Sequence, residues 1–173
     1  MRGYFGIGVE GISKAYNLGA MLRTAHAFGS SFAFTIDAYH KSLHVGRTDT
    51  SGSKDHMPFY EWDDPDALIL PKNCQLVGVE LTDDAVDLPC FRHPLNCAYV
   101  LGPEDGSLSP EMQARCHHMV KIPTKFCINV SLAAALTLYD RSICFGGYPD
   151  RPVRPGGPGL EAIEAWRNPR RRG

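Results

Sequence analysis

Residues 122–141 read IPTKFCINVSLAAALTLYDR, from Ile122 to Arg141. The apolar run Met119–Ile122 predicts a strand, and Pro123 stops it because proline has no N–H for the ladder. After a short loop, Asn129-Val130-Ser131 opens an alanine-rich helix over Asn129–Phe145, and Gly146-Gly147 closes it. Asn129 and Ser131 suit the capping of that helix. Its alanines permit close approach of another element or of a second subunit. A strand, a loop and a long helix in succession form the repeating unit of an α/β fold.

The same alternation runs upstream. Tyr4–Val9 predicts a buried first strand. Leu18, Met21, Leu22, Ala25 and Phe28 follow helical spacing, with Asn17 expected as N-cap and Gly29 closing the helix. Further strands are expected at Phe32–Ile36, Phe59–Trp62, Leu76–Glu80 and Ala98–Leu101. A short helix is expected over Asp63–Leu70, and another opens at Ser109-Pro110-Glu111 with serine as its cap. Residues 41–58 are polar, rich in Gly, Ser and Thr, and predict a long loop of the kind that more often serves function than not. The class is therefore α/β, one domain with a mostly parallel sheet over residues 1–149. An Arg/Pro/Gly-rich tail follows over 150–173.

Composition narrows the function. The chain has 173 residues, 43% of them hydrophobic, enough for one substantial core. No apolar run reaches the roughly 18 residues of a membrane span. The N-terminal stretch is short, Gly-rich and interrupted by Glu10, so no signal peptide and a cytoplasmic setting are expected. Six cysteines occur without a C-x-x-C pair, which predicts free, mostly buried thiols. Cys116-His117-His118 is too tight a cluster for one ion, and no metal site is expected. The net charge of −1 is uneven: residues 151–173 hold six arginines against Glu161 and Glu164. Such a tail suits either phosphate contact or simple solvation.

Three stretches carry chemistry. In Asn17-x-Gly19-x-x-x-Arg23-Thr24, one arginine projects from the edge of an apolar helix, where its rigid fork suits an anion or a structural ion pair. Leu101-Gly102-Pro103-Glu104-Asp105-Gly106-Ser107-Leu108-Ser109 is a Gly-rich turn after a strand, through which a ligand can approach the backbone. It lacks the spacing of a phosphate-gripping loop or a dinucleotide fingerprint. The third is residues 122–136, quoted above. Open parallel sheets bind ligands beyond the carboxyl ends of their strands, and two of these loops lie there.

Taken in order over Asn17–Arg141, the three stretches resemble the motifs of the SpoU/TrmH family within the SPOUT methyltransferase superfamily. NLGAMLRTA, YVLGPEDGSLSPE and IPTKFCINVSLAAAL match its first, second and third motifs. The resemblance implies an α/β sheet whose C-terminal part is tied in a deep trefoil knot. It implies S-adenosyl-L-methionine as cofactor, held by the end of the strand at Val79, Glu80 and Leu81, by Leu101-Gly102, and by Ile122 with Ile128. It also implies a homodimer that methylates a ribose 2′-hydroxyl of tRNA or rRNA, each site taking its arginine from the partner subunit. Arg23 is then the residue at the ribose, with Asn17, Glu104 and Asn129 as the other catalytic positions. Asn17 and Asn129 would orient arginine and substrate, and Glu104 would fix the loop. Cys127 stands where the third motif usually has serine, and Ile128 where it has leucine. Two neighbouring readings stay open: a knotted module that binds RNA or S-adenosylmethionine with little turnover, and a base-methylating relative.

Overall fold

Phe5–Glu10 forms β1, buried along its whole length, as a central parallel strand must be. The structure, a computed structural model, describes residues 3–39, 56–149, 151–152 and 155–167. Helix α1 spans Ala15–Ala27, and β2 and β3 span Phe32–Ile36 and Phe59–Trp62. Next come β4 (Gln75–Val79), β5 (Val86–Asp87), β6 (Cys97–Leu101), α2 (Pro110–Arg115) and β7 (His118–Lys121). Helices α3 (Val130–Phe145) and α4 (Leu160–Arg167) complete the described elements.

The seven strands make one sheet in the order β3-β2-β1-β6-β4-β7-β5. Every pairing is parallel. One face packs on α1 and α3 through Ile7, Val9, Leu22, Tyr99, Ala134 and Leu138. The other is covered by α2 and the segment before β4, through Phe34, Leu68, Leu76, Val100 and Met112. Registers Val9↔Leu101, Val79↔Leu101 and Val79↔Val120 align the carboxyl ends of β1, β6, β4 and β7. The loops that leave those ends therefore share one rim of the sheet.

Helix α3 is fixed to the sheet by a buried guanidinium. Arg141, 1% exposed, donates to the carbonyls of Pro94 at 2.6 Å and Leu95 at 2.8 Å, and lies between the Phe5 and Phe145 rings. Beside it, His93 contacts the Tyr99 hydroxyl at 2.6 Å and the Asp140 carboxylate at 2.9 Å. Burial lowers the His93 pKa despite Asp140, and the neighbouring Arg141 charge acts in the same direction.

Several expectations change. Asn17 does not cap α1; the cap position is Lys14, and Asn17 lies inside the helix with its side chain buried. Asp63–Leu70 is a turn, not a helix, because the Asp64 carboxylate takes the Ala67 N–H at 2.7 Å. Of the cysteines, Cys74 and Cys97 are buried but Cys90, Cys127 and Cys144 are exposed, on a short turn, a loop and the outer face of α3. The sequence reading had neither the two-residue β5 nor α4. Trp166 of α4 stacks on Tyr148 at 4.8 Å and donates to the Gly146 carbonyl, so part of the expected tail folds back on the end of α3. The loop expected over 41–58 lies outside the described residues except for His56–Pro58, as do Arg154 and Arg170–Arg172 of the tail. Among the described residues, no helix is long and apolar enough to cross a membrane.

Candidate active site

The rim where β4, β6 and β7 end encloses a cleft of about 340 Å³. Val79, Glu80 and Leu81, at the end of β4, lie between Leu101 and Gly102 at the end of β6 and Ile122 after β7, and Ile128 also lines the cleft. All seven residues expected at a cofactor thus line one cavity, together with Asn17, Glu104 and Asn129. Arg23 is absent from that lining. It follows Asn17 by six positions, about 9 Å further along the α1 axis, and is exposed. Among the described residues it forms no ion pair, so the structural-pair reading of this arginine finds no support.

A chain of side chains closes the cleft's polar edge. Glu104 accepts from Asn17 Nδ2 at 2.9 Å, and Asn129 Nδ2 donates to Asn17 Oδ1 at 3.1 Å. Asn129 Oδ1 in turn accepts from the Ser131 N–H at 2.9 Å, which caps α3 as its sequence predicts. Glu104 also accepts from Ser13 N and Oγ at 3.1 and 3.0 Å and from Lys14 N at 3.3 Å. Helix α1 has no acidic residue in its first turn and no cap from its own sequence. Glu104 supplies both from another loop, placing a negative charge at the positive end of the helix. Burial pushes the Glu104 carboxyl up, but the donors from Asn17 and Ser13 outweigh it and hold it below the ordinary value.

Two further carboxylates pin the loop after β6. Glu80 Oε2 accepts the Leu108 N–H at 2.9 Å, and Glu10 accepts Ser109 N at 2.8 Å and Ser109 Oγ at 2.5 Å. Gly102 is needed beneath this arrangement. A Cβ there would lie 2.8 Å from Glu80 Oε2 and 3.0 Å from the Leu108 nitrogen. The sequence reading missed Glu10, Ser13 and Lys14. A carboxylate ending an otherwise apolar strand was the available signal for Glu10, since buried charges need partners. Nothing local marked Ser13 or Lys14, whose role depends on Glu104, 91 and 90 residues away.

The cleft is apolar below, through Val79, Leu101, Ile122, Ile128, Val130 and Ala133, and polar at its rim through Lys14, Glu80, Asn17, Asn129 and Thr124. Cys127 opens onto it, exposed and unpaired by any disulfide. An apolar slot that only glycine leaves open, ringed by polar groups, suits a flat heterocycle carrying a polar tail. S-adenosylmethionine has that make-up, so the residues present fit it.

Residues 5–139 match the SpoU rRNA Methylase family. The chain is 27% identical over 142 residues to the 23S rRNA (guanosine-2'-O-)-methyltransferase RlmB of Acinetobacter baylyi, covering 78% of this chain and 57% of that protein. It thus spans about half the length of the curated relatives it matches. The fold superposes on the AdoMet-bound rRNA methyltransferase of Sinorhizobium meliloti with a TM-score of 0.73 at 21% identity, over 84% of this chain and 58% of the other. It superposes on the TrmH/SpoU tRNA modifying enzyme of A. aeolicus with a TM-score of 0.73 at 21% identity, over 95% and 86%.

Proposed function

We propose, on the premise that this chain belongs to the SpoU rRNA Methylase family, that it methylates a ribose 2′-hydroxyl of tRNA or rRNA with S-adenosylmethionine. The observation that carries this reading is the single cleft in which the ends of β4 and β6 meet the loop before α3, closed by the Glu104–Asn17–Asn129 chain.

Val79, Leu101, Ile122 and Ile128 form the apolar walls for the cofactor's heterocycle, and Gly102 lets it approach the backbone. When bound, S-adenosylmethionine supplies an electrophilic methyl group on a sulfonium. Glu104, Asn17 and Asn129 hold the amino ends of α1 and α3 together, so the walls of the cleft keep a fixed spacing. In-line displacement needs three collinear atoms, and such pre-set geometry supplies much of the rate. A guanidinium stays protonated and is a poor proton acceptor. Arg23 acts instead by gripping the phosphate beside the target ribose and stabilising the negative charge on the ribose oxygen as its proton passes to solvent.

Arg23 of one protomer serves the cleft of its partner in this reading. Its exposure, its lack of an ion-pair partner among the described residues and its distance along α1 from the cleft support that arrangement. So does α3, whose outward stripe Leu132, Leu136 and Tyr139 is 59%, 44% and 53% exposed at helical spacing. We read the C-terminal part as the deep trefoil knot of the family. The insertion of β7 between β4 and β5, and of β6 between β1 and β4, supports a threaded path.

Calorimetry with S-adenosylmethionine, followed by radiolabelled methyl transfer to bulk tRNA and rRNA with nucleoside analysis, tests the proposal. Labelled 2′-O-methylnucleosides are expected. Cofactor binding without incorporation into any RNA would sink it, and a base-methylated nucleoside would replace it.

A further inference from the structure

Two histidines on the outer side of α1 and beside it, near Arg23 along the chain or in space, have no part in the cleft. Arg23 and His26 are three positions apart, hence neighbours on one helix face. His56, thirty residues further on, brings its ring over His26 with centroids 5.2 Å apart and planes 20° from parallel. All three side chains are exposed. The stack is held from both ends. His26 lies in the last turn of α1, whose Gly29 N–H returns to the His26 carbonyl at 3.0 Å. His56 precedes Met57, which is buried in the core, and Pro58, whose carbonyl takes the Ala33 N–H at 2.9 Å.

Helix α1 carries no carboxylate along its length. Among the described residues, no acidic group pairs with Arg23, His26 or His56. A guanidinium with no ion-pair partner among the described residues seeks an anion, and a stacked pair of exposed imidazole rings suits a third ring laid on its outer face. A phosphate and a heterocyclic base at adjacent positions are what an unpaired nucleotide presents. Duplex RNA offers the phosphate but keeps its bases within the helical stack.

We propose that the His26–His56 pair is a stacking platform for an unpaired base of the RNA strand, next to the nucleotide whose phosphate Arg23 holds. The platform would favour substrates whose target ribose lies in a loop or bulge. The inference rests on the methyltransferase reading for the identity of the strand, and on the imidazole geometry for the mode of contact.

The test uses the full chain and a short fluorescein-labelled oligoribonucleotide of mixed sequence, as a single strand and annealed to its complement. Loss of one base–ring stack weakens binding by about tenfold. His26→Ala with His56→Ala is therefore expected to bind the single strand about tenfold more weakly and the duplex unchanged, with S-adenosylmethionine affinity intact by calorimetry. The paired substitution to phenylalanine keeps flat rings and is expected to restore single-strand binding. Wild-type affinity in the alanine pair, equal loss with alanine and with phenylalanine, or equal loss for single strand and duplex overturns the platform. A wild-type chain that shows the expected strand binding but neither binds cofactor nor transfers methyl refutes the methyltransferase reading alone. One that transfers methyl but shows none of the expected differences refutes the platform alone.

Discussion

The carboxylate of Glu104 stands at the amino end of α1 and takes a hydrogen bond from the Asn17 amide at 2.9 Å. Motif-two acid and motif-one asparagine are thereby one unit, although 87 residues separate them. With Asn129 bonded to Asn17, the same unit reaches the start of α3.

Replacing Glu104 with glutamine puts an amide donor among donors. The variant should lose about 1–2 kcal/mol of stability, the range for a charge-assisted bond left imperfect. Because the folded-state pKa is depressed, this contribution is fully present above the ordinary carboxylate value and is lost as pH falls through the folded one. Thermal unfolding followed from neutral pH into the acid range should show the wild type losing part of its margin over Glu104→Gln. Parallel curves would mean that the carboxylate contributes no pH-dependent stability.

Gly102→Ala should weaken S-adenosylmethionine binding by at least about tenfold, the factor for roughly 1.4 kcal/mol, while leaving the melting temperature within a few degrees. The added Cβ meets Glu80 Oε2 and the Leu108 nitrogen, so the loop must shift at the cleft and not in the core. Calorimetry and a thermal melt together check this. Unchanged affinity would show that the loop backbone is not in contact with the cofactor.

Arg23→Ala should abolish methyl transfer with cofactor affinity nearly intact. Mixing it with Gly102→Ala chains should restore part of the activity, since mixed dimers contain one site with an intact cleft and an intact partner arginine. Absence of complementation in confirmed mixed dimers would place Arg23 in the service of its own subunit.

Leu136→Glu should shift the protein toward monomer in light scattering and lower transfer in parallel, because a buried carboxylate in an apolar interface is costly. An unchanged oligomer would move the interface away from α3.

Arg141→Ala should destabilise the fold by about 1–3 kcal/mol in urea unfolding, the cost of leaving buried acceptors without their donors. The carbonyls of Pro94 and Leu95 lose both guanidinium donors. A cost below about 1 kcal/mol would show that water replaces the side chain.

Much of the cleft was legible because its parts are local. The Pro123 stop, the Asn129 and Ser109 caps and the Gly102 turn each follow from residues a few positions apart, and Gly102 and Asn129 line the cleft themselves. Strand order was not legible, since placing β6 between β1 and β4 depends on contacts spanning tens of residues. Asn17 misled for the same reason. Asparagine favours caps, but the distant Glu104 and Asn129 satisfy both ends of its amide and make a helix-interior position acceptable. The Leu160–Arg167 helix was hidden by its Pro/Gly-rich approach, although Trp166 gives it an anchor.

The loop after β6 is tied by Glu10, Glu80 and Glu104 to three separate parts of the chain. Across the cleft, Thr124 bonds among the described residues only to its near neighbours Ile122 and Phe126. One wall is therefore pinned to distant segments, and the other is held up to Asn129 by local bonds. Residues 123–128, around Cys127, can therefore change without breaking a long-range side-chain bond among the described residues, whereas the acidic clamp opposite cannot.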